Sequence, residues 1–254
     1  MLILLPPSEG KRLPVRGKPL DLSTFSLPAL NPLRGTLLTE LTAVSDRVDA
    51  NAVLQLPATM GAALSTNTKI MTAPTAPAGS VYAGVLYAAL GLETLSGPAL
   101  RRARASIMII SALWGAVRLR DRIPGYRLSM AVTLPGHPPL AARWRPLLGE
   151  AIPAAAGRGL VVDCRSSTYA AAWQPSGSLA DRTVGVRVFR TVEGRRVVVS
   201  HLAKHTRGLV ARAVVSAPSE PRRPEALAAL LAASFDVDLA PNPRGGWFVD
   251  ITTG

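Results

Sequence analysis

The sequence predicts a mixed α/β fold in a single domain over residues 1–254. Three observations lead there. A chain of 254 residues with 48% hydrophobic content is long enough to bury a full core. Short β-branched apolar runs are interspersed with segments of helical periodicity. The two kinds do not follow a strict strand–helix–strand order, which argues for a mixed rather than a purely parallel arrangement.

The elements follow in chain order. Residues 2–5, LILL, read as a buried strand. The loop PPSEGKRLPVRGKP comes next, where Pro and Gly exclude regular structure. LRGTLLTELTAVSD has apolar residues at helical spacing, and a second short helix is predicted over ATMGAALSTN. MTAPTAPAG is a turn-rich connection, and SVYAGVLYAALGLETL reads as one amphipathic helix with Ser80 as N-cap. ASIMIIS is a core strand. LAARWRPLLGEAI predicts a helix, GLVVDC a strand, and RTVGVRVFRTVEGRRVVVS a hairpin around VEGR. HLAKHTRGLVARAVV and PEALAALLAAS are helical, the latter with Pro at its start, and FDVDL and GWFVDIT form a small antiparallel pair.

The formal net charge of +13 points to nucleic acid, an anionic membrane surface or acidic ligands as partners. Of the 29 basic residues only Lys11, Lys18, Lys69 and Lys204 are lysines, in a chain also rich in Ala, Pro and Gly. A GC-rich coding sequence gives that pattern too, so the charge alone does not define a binding face. Cys164 is the only cysteine, which excludes an intrachain disulfide and a multi-thiolate metal site and suits a reducing compartment. MLILLPP lacks the basic start and longer apolar region of a signal peptide. The apolar stretch IMIISALWGAV is about half the length of a spanning helix. A cytoplasmic protein without a membrane partner is expected.

Four segments, VYAGVLYAALGLETLS, SALWGAVRLRDRIPGYRLSM, VVDCRSSTYAAAW and HLAKHTRGLVAR, together with the opening MLILLPPSEGK, resemble the YaaA family of peroxide-stress proteins, and its actinobacterial members in particular. The resemblance implies a YaaA-like mixed α/β fold with a basic cleft and a helix-hairpin-helix-like element. It also implies association with duplex DNA and a role in limiting free iron under peroxide stress. The family pattern falls on Ser8, Lys11, Arg118, Asp121, Tyr126, Arg127, Met130, Ser167, Tyr169, Lys204, Arg207 and Gly208. The chain departs from it at Leu119, Arg120, Gly125 and Ala131, and GAALSTNTKIM carries few basic groups where a DNA hairpin would meet phosphate.

The residues themselves allow two kinds of reading. Gly10-Lys11 after a strand can place a turn and an ammonium beside a phosphate, although the full phosphate-loop pattern is absent, and a solvated turn is the simpler alternative. Arg118 and Arg127 offer guanidinium forks for phosphate or carboxylate, with Asp121 holding one Arg in place and Tyr126 between them as a stacking face. Alternatively Asp121 is a structural partner and Tyr126 and Met130 are core. DCRSSTY follows a strand, so Ser166, Ser167 and Tyr169 can face a ligand at its carboxyl end, with Asp163 as acid, base or turn carboxylate. Cys164 reads as an inert buried thiol. Lys204 and Arg207 lie on a predicted helix with His201 and His205. Those two histidines share a face, but no H-E-x-x-H pattern accompanies them and no metal site is expected. The sequence identifies no cofactor.

The leading expectation is a basic cleft of Ser8, Lys11, Arg118, Arg127, Ser167, Tyr169, Lys204 and Arg207 that binds DNA backbone. The alternative is an enzyme using the same cleft for a phosphorylated, nucleobase-like or carboxylate small molecule, with Lys11, Asp163 or Tyr126 in proton transfer. A partner-binding protein without chemistry needs only the core. An enzyme should have a deep pocket with a desolvated acid or lysine, and a DNA binder an extended basic groove.

Overall fold

Four consecutive apolar residues, Leu2–Leu5, form β1, and all four are buried, as expected of a strand covered on both faces. The computed structural model describes residues 1–192, 195–197 and 200–253. The other strands are β2 (Ala76–Pro77), β3 (Ile107–Ser111), β4 (Gly115–Arg118), β5 (Arg122–Ile123), β6 (Val161–Asp163), β7 (Thr183–Val192), β8 (Arg195–Val197), β9 (Asp236–Pro241) and β10 (Trp247–Thr253). The helices are α1 (Asn31–Ser45), α2 (Ala50–Val53), α3 (Gly61–Thr68), α4 (Ala78–Val81), α5 (Val85–Leu90) and α6 (Gly97–Ser106). After them come α7 (Leu140–Ala156), α8 (Ser167–Ala170), α9 (Gly177–Ala180), α10 (Ser200–Ser216) and α11 (Pro224–Ala232).

One eight-stranded sheet organises the domain in the order β4-β3-β1-β6-β7-β10-β9, with β8 paired to β7. The centre is parallel: β1 pairs with β3 and β6, and β7 with β6 and β10. The edges turn antiparallel through β3/β4, β7/β8 and β9/β10. This is the expected single mixed α/β domain, and the predicted terminal pair and the β7/β8 hairpin both form. Residues 193–194 of the predicted VEGR turn lie outside the described residues.

The predicted helix over residues 80–95 does not form as one element. Tyr82 is extended, Gly84 has φ 96° and Gly91 has φ 57°, so the segment divides into α4, α5 and a 3-10 turn over Leu92–Thr94, with Ser80 inside α4 rather than capping it. The break lets Tyr82 bridge the backbone of Lys11. The segment SALWGAVRLRDRIPGYRLSM contributes the end of β3, then β4, which runs back along β3, and the short β5. At Gly115, φ is 68° and a Cβ would lie 2.5 Å from the fully buried Trp144 ring, so the turn into β4 requires glycine. In the region where the resemblance implies a hairpin element, α3 (GAALSTNT) contains no Lys or Arg. Among the described residues no helix is long and apolar enough to cross a membrane.

Candidate functional site

The parallel strands β1 and β6 end at the same edge of the sheet, and the segments that follow them face each other there. Pro6–Gly10 after β1 and Ser166–Tyr169 after β6 form two walls of a cavity of about 840 Å³. β7 runs past the end of β6 and supplies Arg187, Val188 and Phe189. The turn into α5 and its first residues supply Ala83–Tyr87, and α10 supplies Ala203, Lys204 and Arg207. The volume lies within the usual range of small-molecule sites, about 300–1,000 Å³, and the position follows the rule that ligands bind beyond the carboxyl ends of parallel strands. Glycine brings α10 close to α5, because a Cβ on Gly208 would lie 2.2 Å from the Leu86 carbonyl oxygen.

Loop 6–10 is tied down from several sides. The Tyr87 hydroxyl donates to the Pro6 carbonyl at 2.7 Å. The Ser8 hydroxyl donates to the Gly10 carbonyl at 2.5 Å and accepts from the Ala83 amide at 3.0 Å. Arg127 donates to the Glu9 carbonyl at 2.9 Å and lies 3.4 Å from its carboxylate. Arg127 is itself fixed by buried Asn67, whose side chain accepts from its amide at 2.7 Å and donates to its carbonyl at 2.9 Å.

Behind this loop stands Lys11. Its ammonium donates to the Ser8 carbonyl at 2.8 Å and lies 4.2 Å from the centroid of the Tyr126 ring. Desolvation lowers its pKa from 10.5 to about 7; the Arg127 guanidinium adds to the shift and Glu9 opposes it. The Tyr126 hydroxyl sits between Ser111 Oγ at 2.7 Å and the Tyr82 hydroxyl at 2.8 Å, and burial drives both tyrosines well above their ordinary pKa. At the cavity wall burial pushes Tyr169 up to about 12, against hydrogen bonds from Met130 and Ser129.

Of the residues expected in a basic cleft, Ser8, Ser167, Tyr169, Lys204 and Arg207 line the cavity, while Lys11 and Arg127 buttress loop 6–10. Arg118 lies elsewhere. It pairs with Met108 near the start of β3, at the opposite end of the sheet, and its guanidinium donates to the Ala105 carbonyl at 3.1 Å. Asp121 does not hold a guanidinium either: its carboxylate accepts from the Arg118 amide at 2.8 Å and from the Ser26 amide at 2.9 Å and hydroxyl at 2.5 Å. Asp163 is bound by two nitrogens of the buried Arg165, at 2.8 and 2.6 Å. Arg165 also donates to the Tyr169 and Trp173 carbonyls, so the pair shapes the turn after β6. The Cys164 thiol is fully buried, and burial pushes its pKa up to about 12. The His201 side chain lies outside the described residues, and among those described no three His, Cys, Asp or Glu side chains converge on a metal position.

Sequence reasoning missed Arg187, Phe189, Tyr87 and Ser129 in the cavity wall. For Arg187 and Phe189 a signal existed. In TVGVRVFRTV the residues Val184, Val186 and Val188 form the buried face, which leaves Arg187 and Phe189 on the other.

The family model described as "Peroxide stress protein YaaA" matches residues 1–239. A UPF0246 protein of Streptomyces coelicolor is 44% identical over 256 residues, covering 99% of this chain and 98% of the relative. UPF0246 proteins of Corynebacterium efficiens and Corynebacterium glutamicum are 41% and 39% identical, covering 87% and 96% of this chain and 87% and 97% of their own lengths. With its match to the family model over nearly its full length and its actinobacterial relatives, the chain belongs to the YaaA family of peroxide-stress proteins.

Proposed function

We propose that this protein binds a small anionic molecule, phosphorylated or carboxylate-bearing, in the cavity beyond β1, β6 and β7, and acts on it as an enzyme. The observation that carries the reading is Arg207. It sits on the cavity wall of α10, one turn from Lys204, and among the described residues it meets no carboxylate. Its contacts are to the Val186 carbonyl at 3.3 and 3.4 Å, so its donors are available to a ligand. Lys204 is exposed beside it, and the hydroxyls of Ser167 and Tyr169 line the facing wall.

Lys11 supports the enzymatic part. An amine whose pKa lies about 7, held against the loop that forms the cavity wall, exchanges a proton near neutral pH. Its role is proton transfer through, or on displacement of, loop 8–10. Tyr126 sets the position of the ammonium, and Asp163, already bound to Arg165, acts on the shape of the wall.

The reading is tested by calorimetric titration of inorganic phosphate and pyrophosphate into the full chain and into Arg207→Ala. Micromolar to millimolar binding that Arg207→Ala weakens at least tenfold supports it, provided the variant keeps its thermal midpoint. The second reading, DNA backbone in a basic cleft with a part in peroxide stress, draws on the +13 charge and the family. A duplex titrated at two salt concentrations separates the two. Tight binding that collapses with salt, together with indifference to phosphate and pyrophosphate, favours DNA.

A further inference from the structure

A second cavity of about 730 Å³ shares Ser167, Arg187 and Arg207 with the first. Its floor is one face of the sheet, because the strand registers set Asp163 and Phe248 beside Gly185, and Asp250 beside Arg187. Gly185 makes room for the Phe248 ring, whose nearest atom would lie 3.0 Å from a Cβ at that position. The Arg187 guanidinium covers this ring, 4.0 Å from its centroid, and pairs with Asp250 at 2.6 Å. Asp163 is held by Arg165, also at 2.6 Å. The floor therefore offers a ligand neither an open aromatic face nor a free carboxylate.

The walls are cationic. Arg145 of α7, Arg207 of α10 and Arg244 of the turn between β9 and β10 line the cavity, and among the described residues none of the three has a carboxylate partner. Arg145 donates to the Ala171 carbonyl at 3.2 Å and Arg207 to that of Val186 at 3.3 and 3.4 Å. The Arg244 amide donates to the side-chain oxygen of Asn242 at 3.0 Å, which leaves the Asn242 side-chain NH2 as a further donor on the lining. The turn that carries both is fixed, since the Asn242 amide donates to the Gly246 carbonyl at 2.9 Å and a Cβ on Gly246 would lie 2.4 Å from the Ala180 carbonyl oxygen. Like charges brought to one concavity by three separate elements repel one another, and a bound anion reverses that cost.

We propose that this cavity is a second anion subsite, and that the ligand carries two anionic groups at opposite ends, one taken by Arg207 and Lys204 and the other by Arg145 and Arg244. The assignment rests on the reading of the first cavity as an anion site and narrows it to a substrate class, small molecules with two phosphate or carboxylate heads. Arg207 lines both cavities, so a ligand anchored there can extend into the second.

The test compares double-headed with single-headed ligands. Methylene-, propylene- and hexamethylene-bisphosphonate are titrated calorimetrically into the full chain beside the matched monoalkylphosphonates, with dicarboxylates and monocarboxylates of the same chain lengths as a parallel series that separates phosphate from carboxylate. At least one double-headed ligand should bind roughly tenfold more tightly than its single-headed counterpart. The double variant Arg145→Gln/Arg244→Gln should abolish that advantage and leave single-headed binding unchanged, whereas Arg207→Ala should weaken both. Arg101→Gln/Arg104→Gln removes the same charge from exposed positions on α6, outside the lining of either cavity, and should keep the advantage. Equal affinity within every pair overturns the second subsite, and that comparison needs only the unmodified protein. So does an advantage that survives the loss of Arg145 and Arg244, or one that the α6 variant loses to the same extent. If single-headed ligands still bind through Arg207, the reading of the first cavity stands; if no anion binds the unmodified protein, both fall.

Discussion

Replacing Lys11 with Met keeps the length of the side chain and removes the ammonium. The amine titrates at about 7 in the folded protein against 10.5 as a free side chain. Between these values the unfolded chain holds a proton that the folded chain lacks, so the stability of the unmodified protein rises with pH across that window. At about 1.4 kcal/mol per pH unit the displacement corresponds to roughly 5 kcal/mol. Below pH 7 both states are protonated and the full cost of burying the charge is present. Above 10.5 both are neutral and it is gone. Lys11→Met lacks this contribution at every pH. Urea denaturation from pH 6 to pH 10.5 should therefore show the variant more stable than the parent by several kcal/mol at the acid end, with the difference closing as pH rises. Parallel curves for the two proteins would refute the desolvated amine, and with it the proton-transfer role. A carbon resonance of the Lys11 ε-methylene that titrates near 10.5 would do the same.

Three further outcomes follow from the packing. Asn67→Ala removes two hydrogen bonds to the Arg127 backbone and one to Ser45 Oγ in a fully buried setting, and should cost about 3 kcal/mol in urea denaturation; a loss below about 1 kcal/mol would show that Arg127 is held by other contacts. Gly115→Ala forces a Cβ against the Trp144 ring at a left-handed backbone position and should lower stability by more than about 3 kcal/mol, with a shift in tryptophan emission; a near-neutral effect would contradict the turn geometry. The Cys164 thiol, fully buried and with its pKa pushed up to about 12, should react with a thiol reagent at pH 8 only as fast as the protein unfolds; rapid stoichiometric labelling of the native protein would place it at an accessible site.

The strands that were plain in the sequence are those whose setting removes ambiguity. Leu2–Leu5 and Ile107–Ser111 lie in a parallel centre covered on both faces, so they read as unbroken apolar runs. The segment 80–95 misled because its apolar spacing is helical while Gly84 and Gly91 adopt positive φ, a backbone property that periodicity does not record. The site divides in the same way. Residues just beyond a strand end, Ser8 after β1 and Ser167 and Tyr169 after β6, were legible because chain position fixes which end of the sheet they occupy. Arg118 and Arg127 are neighbours in sequence, but β4 runs antiparallel to β3 and carries Arg118 to the far end, while the chain returns to put Arg127 on Glu9. The direction of an edge strand depends on its pairing, which no local pattern supplies.

The same geometry bears on the charge. Much of the arginine excess is engaged inside the molecule. Arg34, fully buried, donates to the Trp114, Ala116 and Leu27 carbonyls, and Arg102 to those of Val215 and Ala217. Arg182 donates to Gly159 and Arg212 to Leu90 and Gly91. These guanidinium groups join helices and turns through main-chain oxygens, a use for which the flat, multi-donor head group is suited and lysine is not. The formal charge of +13 therefore overstates the density available to a polyanion. Among the described residues, the cavity-lining cations without a carboxylate partner are fewer: Lys204, Arg207, Arg145 and Arg244. Binding through Arg207 alone should depend on salt only weakly, as one or two ion contacts do, whereas a duplex held across many phosphates would lose affinity steeply.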